Sequence, residues 1–182
     1  MGEPLSEPDG KFLSDTLRCV DACGAWGIQN LVVHSGYERG LSREETLLRN
    51  RDFFLPLLKR AEKYGVNILV ENFNKMCIDG LYWIDNATDL LAMVECVNHP
   101  LFHAIWDVGH ANLQEMPQDE ELRLLGSHVR ALHIQENMQE SDDIIWIKVM
   151  CVDSIWHIIF YSINQTRNKH YNRYHNCHPH KR

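Results

Sequence analysis

The sequence predicts an α/β domain of parallel strands joined by helical crossovers, and three observations carry that prediction. Four short apolar, β-branched runs, "NLVVHSG" (30–36), "VNILVEN" (66–72), "FHAIWDV" (102–108) and "VRALHIQ" (129–135), have the composition of strands buried on both faces. Each run follows a segment of helical periodicity, so strand and helix alternate as right-handed crossovers require. The runs that open at Val66 and Phe102 begin 36 residues apart, which accommodates one strand–helix unit. The strands are placed near 30–34, 67–71, 103–107 and 129–134.

The first helix is predicted over about 12–26, where Leu13, Leu17 and Val20 fall at helical spacing and Gly24 and Gly27 mark its weakening and stop. The second opens with the capping box "SREE" (42–45), in which the Ser42 hydroxyl and the Glu45 carboxylate serve each other's backbone N–H groups. It extends towards Tyr64 and ends at Gly65, with Pro56 expected to kink or split it. "NATDLLAMVECV" (86–97) and "PQDEELRLLG" (117–126) supply two more; the latter has Pro117 near its start, acids in its first turn and Gly126 at its stop.

A chain of 182 residues with 45% hydrophobic content suits one sizeable core. The six cysteines form no C-x-x-C pair, and the first fifteen residues are too polar for a secretory signal, so a reduced, cytoplasmic setting is expected. No run approaches the roughly 18 apolar residues of a membrane span, and "VDSIWHIIFYSI" (152–163) is broken by Asp153 and His157. The net charge of −7 is unevenly divided: residues 144–182 carry six Lys/Arg against Asp153 alone. Residues 1–143 are therefore strongly acidic. The tail also holds five of the eleven histidines and lacks apolar periodicity. Residues 1–143 are read as the folded domain, and 144–182 as an atypical basic, His-rich tail, disordered or aberrant. Its basic, aromatic-interleaved composition suits nucleic acid, but a solvated extension is the preferred reading, and no nucleic-acid partner is expected.

Function points to the strand ends. In parallel α/β sheets reactive groups gather beyond the carboxyl ends of the strands, where His34, Glu71, Asp107 with His110, and His133 all fall. Each alone has a bland reading as a cap, loop carboxylate or structural histidine. Together they would aim at one point, where desolvated carboxylates repel unless a cation or proton joins them. Two carboxylates and one imidazole suit a divalent metal, Mn²⁺, Mg²⁺, Co²⁺ or Zn²⁺, and no thiolate lies near to indicate structural zinc.

The motifs "LVVHSG", "ILVEN", "WDVGHANL" and "ALHIQEN", in this order and spacing over about 10–143, resemble the middle strands of the xylose-isomerase-like TIM barrels, the sugar phosphate isomerase/epimerase group. The resemblance implies an incomplete (β/α)8 barrel of about four parallel βα units. It implies that Glu71, Asp107 and His133 match three of four metal ligands, that Glu71 is also the general base, and that His110 holds a substrate oxygen. His34 and Glu136 are further candidates for substrate contact, and Glu136 keeps a competing reading as a helix-start or surface carboxylate. The implied reaction is proton transfer beside the carbonyl of a sugar or sugar phosphate through an enediolate.

The family's first three strands and its terminal glutamate ligand have no counterpart in these residues, so an impaired or inactive fragment is expected. Two other readings compete. An apurinic endonuclease-like phosphodiesterase shares the barrel and the His34, Glu71, Asp107, His110 and His133 pattern, but the acidic balance of 1–143 opposes it. A non-catalytic fragment is the other. Phe73, Tyr82 and Trp83, in "NFNKMCIDGLYWIDN" (72–86), have equal claims to stacking on a sugar face and to packing the rim. Oligomeric state is not legible.

Overall fold

In the computed structural model the described residues are 10–36, 40–74, 82–134 and 148–151. They form α1 (Lys11–Trp26), β1 (Asn30–Val33), α2 (Arg43–Ala61), β2 (Asn67–Glu71), α3 (Ala87–Val97), β3 (Phe102–Asp107), the short α4 (Val108–Ala111), α5 (Gln118–Leu125), β4 (Val129–Ile134) and β5 (Lys148–Cys151). The strands make one sheet in sequence order, and β1 to β4 pair in parallel. Two compact units are distinguished, 1–150 and 151–182. Apart from Cys151, the second lies outside the described residues.

The predicted caps form. Gly27 ends α1 in the left-handed conformation at φ 69°, which a side chain would strain. Both halves of the Ser42–Glu45 capping box close. Asn86 caps α3 by accepting from the Asp89 N–H at 2.9 Å. Two expectations for α2 are corrected. The helix neither splits at Pro56 nor reaches Tyr64: it passes through the proline and ends at Ala61, before turns that lead to Gly65. Burial of Phe53, Phe54, Leu57 and Leu58, on both sides of the proline, offsets the one backbone bond it removes. The short strand β5 falls within residues 144–182.

The sheet's two faces have different tasks. On the outer face, a line of rings crosses the helix layer into the sheet: Phe12 stacks on Phe53 at 5.4 Å, Phe53 meets Phe54 at 5.3 Å, and Phe54 meets Phe102 at 4.8 Å. On the inner face, Leu69, Ile105 and Ala131 form a buried layer with Val32 against it, one residue from each of β1 to β4. Two positions further along, the same parity presents His34, Glu71, Asp107 and His133.

That parity depends on a bulge. Ala104 pairs with Val129, but Ile105 pairs with Ala131, so Arg130 is an extra residue that the ladder skips. An unbulged strand would set Leu132 opposite Asp107; with the bulge, His133 takes that place.

Two features of the helix layer yield predictions. A Cβ on Gly24 would lie 2.3 Å from Cγ of Tyr64, so α1 approaches this ring as only glycine allows. Gly24→Ala should cost about 1–3 kcal/mol in urea unfolding, and a neutral outcome would contradict the contact. Glu121 of α5 is 1% exposed, with Oε2 unpartnered. Burial pushes its carboxyl up to about 7, opposed by a hydrogen bond from the Ala87 backbone and reinforced by Asp85. Asp89, which pairs with Arg43, is shifted upward by burial as well. A raised folded-state value means that stability is lost as pH climbs from the unfolded carboxyl range to about 7. Glu121→Gln should match the parent near pH 4.5 and exceed it by about 2–3 kcal/mol at pH 8. Denaturant melts at the two pH values check this; equal stability at pH 8 would refute it.

Candidate functional site

The site is built at the carboxyl ends of three adjacent strands. Glu71 ends β2, Asp107 ends β3, and His133 lies one residue from the end of β4. Each offers one ligand-type atom, and these atoms lie within 4.8 Å of one another. Both carboxylates are buried, Glu71 at 4% and Asp107 at 3% exposure, whereas His133 is half-buried. The Nδ1 of His133 makes a short contact with Glu71 Oε1 and stands 3.7 Å from Asp107 Oδ2. Its hydrogen bond to Glu71 holds the imidazole above its ordinary pKa, and the charges of Glu71 and Asp107 act in the same direction against burial.

Two more histidines flank this group. His34, immediately beyond β1, places Nε2 3.8 Å from Glu71 Oε2. Burial lowers its pKa, with His110 and His133 contributing and Glu71 opposing. His110 lies in α4, the turn that follows β3 directly. Asp107 caps this turn by accepting the His110 N–H on Oδ1 at 2.8 Å, and His110 Nε2 stands 3.9 Å from Asp107 Oδ2. The spacing of Asp107 and His110, three residues apart, is thus a one-turn cap that folds the imidazole back beside the Asp107 carboxylate. Five of the six expected residues therefore share one network; Glu136 lies outside the described residues.

The expectation missed Asn72 and Asn74. The Asn72 side chain accepts the Asp107 N–H at 2.7 Å and donates to the Asp107 carbonyl at 3.1 Å. Asn74 places Nδ2 2.7 Å from His110 Nδ1. Since this amide nitrogen only donates, Nδ1 accepts and the neutral ring carries its proton on Nε2, towards the site. The signal available was "ENFN" (71–74), which reads on its own as polar turn sequence.

The aromatic candidates divide. Phe73 is half-buried and packs on His110 at 4.3 Å, Tyr82 at 4.9 Å and His34 at 5.4 Å, forming a wall of the site. Tyr82 and Trp83 are buried. The Tyr82 hydroxyl accepts the Ser35 N–H at 2.8 Å, fixing the chain just after His34. A cavity of about 440 Å³ lies at the opposite ends of the strands, lined by Cys23, Tyr64, Asn67 and Arg130 among others, away from the carboxylates.

Parallel strands interleaved with helices, with carboxylates and imidazoles gathered at their carboxyl ends, define part of a TIM-type barrel. The chain belongs to the xylose isomerase-like TIM barrel family, whose model matches residues 2–169. It is similar in fold to D-psicose 3-epimerase from Clostridium cellulolyticum H10, solved with D-tagatose: 20% identity, TM-score 0.60, covering 72% of this chain and 48% of that one. The 3-keto-D-glucoside 4-epimerase YcjR from E. coli gives 18% identity and TM-score 0.60, covering 69% and 50%. An AP endonuclease, family 2, from Brucella melitensis gives 19% identity and TM-score 0.65, covering 74% and 52%. The chain spans about half the length of these structures. Among curated protein sequences, none matches it. Among the described residues, no helix is long and apolar enough to cross a membrane.

Tyr82→Phe tests the anchoring of the His34 segment. Leaving the buried Ser35 N–H without this acceptor should cost about 1–3 kcal/mol in urea unfolding while preserving the aromatic packing; an unchanged midpoint would show that the hydroxyl does not hold the segment.

Proposed function

We propose that Glu71, Asp107 and His133 bind a divalent metal, Mn²⁺ foremost, and that the site performs proton transfer on a sugar or sugar phosphate as an isomerase or epimerase. The observation that carries this reading is the mutual approach of the three ligand-type atoms within 4.8 Å. The donor chemistry fits: ions of this class form bonds of about 2 Å to oxygen and nitrogen, and two buried carboxylates beside one imidazole are costly without a cation. The bound ion would polarise the substrate carbonyl and offset the negative charge that develops beside it.

The chain's own residues take distinct roles in this reading. The Glu71 carboxylate removes the proton from the carbon beside the carbonyl, yielding an enediolate. His110, with its proton on Nε2, donates to a substrate oxygen, and Asn74 keeps it in that form. His34 contacts a sugar hydroxyl from the half-exposed side, Phe73 covers an apolar face of the sugar, and Glu136 is a further candidate for substrate contact. Reprotonation at the opposite face needs an acid other than Glu71. The acidity of residues 1–143 favours a small neutral or metal-bridged substrate over the nucleic acid required by a phosphodiesterase.

Calorimetric titration with Mn²⁺ tests the metal assignment. Glu71→Gln and Asp107→Asn should each weaken binding by about tenfold or more, by analogy with loss of a supporting interaction at metal sites. Equal heats for the parent and both variants would show that these carboxylates hold no metal.

A further inference from the structure

Strand β2 ends at Glu71, yet β3 continues to Asp107, two positions beyond the residue that Glu71 faces. The backbone of β2 therefore does not pair with Asp107. A carboxamide carries the same donor and acceptor as a peptide group, and Asn72 supplies both: its Oδ1 accepts the Asp107 N–H at 2.7 Å, and its Nδ2 donates to the Asp107 C=O at 3.1 Å. Asn72 is wholly buried. With its backbone held from one side and Oδ1 engaged by the His110 N–H at 2.8 Å, the Asp107 carboxylate keeps Oδ2 towards His133, 3.7 Å away.

We infer that Asn72 is a positioning residue for the metal site: its side chain extends the sheet by one peptide-like rung and fixes the direction in which Asp107 presents Oδ2. This rests on the metal-binding reading above. Alanine removes both bonds and leaves two buried backbone groups of Asp107 without these partners. Aspartate keeps an acceptor for the N–H but sets an oxygen against the Asp107 carbonyl and adds a third acidic group beside Glu71 and Asp107. Glutamine places the amide one methylene too far.

The test uses the full 182-residue chain with Co²⁺ as probe, read by its visible absorption and by titration. Asn72→Ala and Asn72→Asp are expected to bind Co²⁺ about tenfold to a hundredfold more weakly, with an altered absorption band and faster hydrogen exchange at the Asp107 amide. Gly24→Ala, destabilised at a remote helix contact, should keep the parent's Co²⁺ affinity and spectrum. Parent-like affinity and spectrum in both Asn72 variants overturn the inference, as does an equal loss in Gly24→Ala. Should the variants not fold, the unsubstituted chain decides: its Asn72 side-chain amide protons must exchange slowly, and exchange at the solvent-exposed rate overturns the inference. A parent chain that binds no Co²⁺ overturns the metal-site reading and this inference together, whereas parent binding with unchanged variants overturns this inference alone.

Discussion

Two carboxylates, Glu71 and Asp107, are buried side by side at the ends of neighbouring strands. Their desolvation and mutual repulsion would be unfavourable without compensating charge and hydrogen bonds. The local structure supplies the hydrogen bonds and, through one imidazole, part of the charge. His133 is hydrogen-bonded to one carboxylate and drawn towards the protonated state by both, while the His110 N–H and the Asn72 clamp hold the other residue at three atoms. The apolar layer of Leu69, Ile105 and Ala131 below the rim keeps the strands in the register that brings these groups together.

The strands and the acidic and imidazole groups at their ends were readable because both signals are local. A buried parallel strand is a short apolar run, and the residue that breaks the run marks its end. The caps at Ser42 and Asn86 and the stop at Gly27 follow from chemistry within a few residues. The features that escaped are non-local. Asn72 looks like turn sequence until β3 is known to overrun β2, and Asn74 acquires its role only from the position of His110, 36 residues away. Tyr82 and Phe73 are nine residues apart in the sequence and chemically similar, but only the folded chain separates the ring that lines the site from the one whose hydroxyl is committed to Ser35. Proline at position 56 misled for the opposite reason: a local rule was outweighed by burial on both sides of it.

The helix layer and the rim balance their polar groups differently. At the rim every buried charge described has a partner. In the helix layer, the unpartnered Oε2 of Glu121 sits where α5 meets α3, beside Asp85, and its elevated pKa reflects a carboxyl more stable there as the neutral acid. The network that sets the site's geometry is thus separate from a contact whose stability responds to bulk pH.

The skipped residue at Arg130 also bears on how this fold tolerates changes in chain length. Because the ladder resumes in phase after it, the lower end of β4 and its carboxyl end at the rim are matched to β3 independently. A length change at the bulge can be absorbed where it occurs, whereas one between Ala131 and His133 would replace an imidazole facing Asp107 with a neighbour of opposite facing. Strand β4 thus has a segment open to evolutionary insertion and deletion, next to one in which the reading of every residue is fixed by its partner across the sheet.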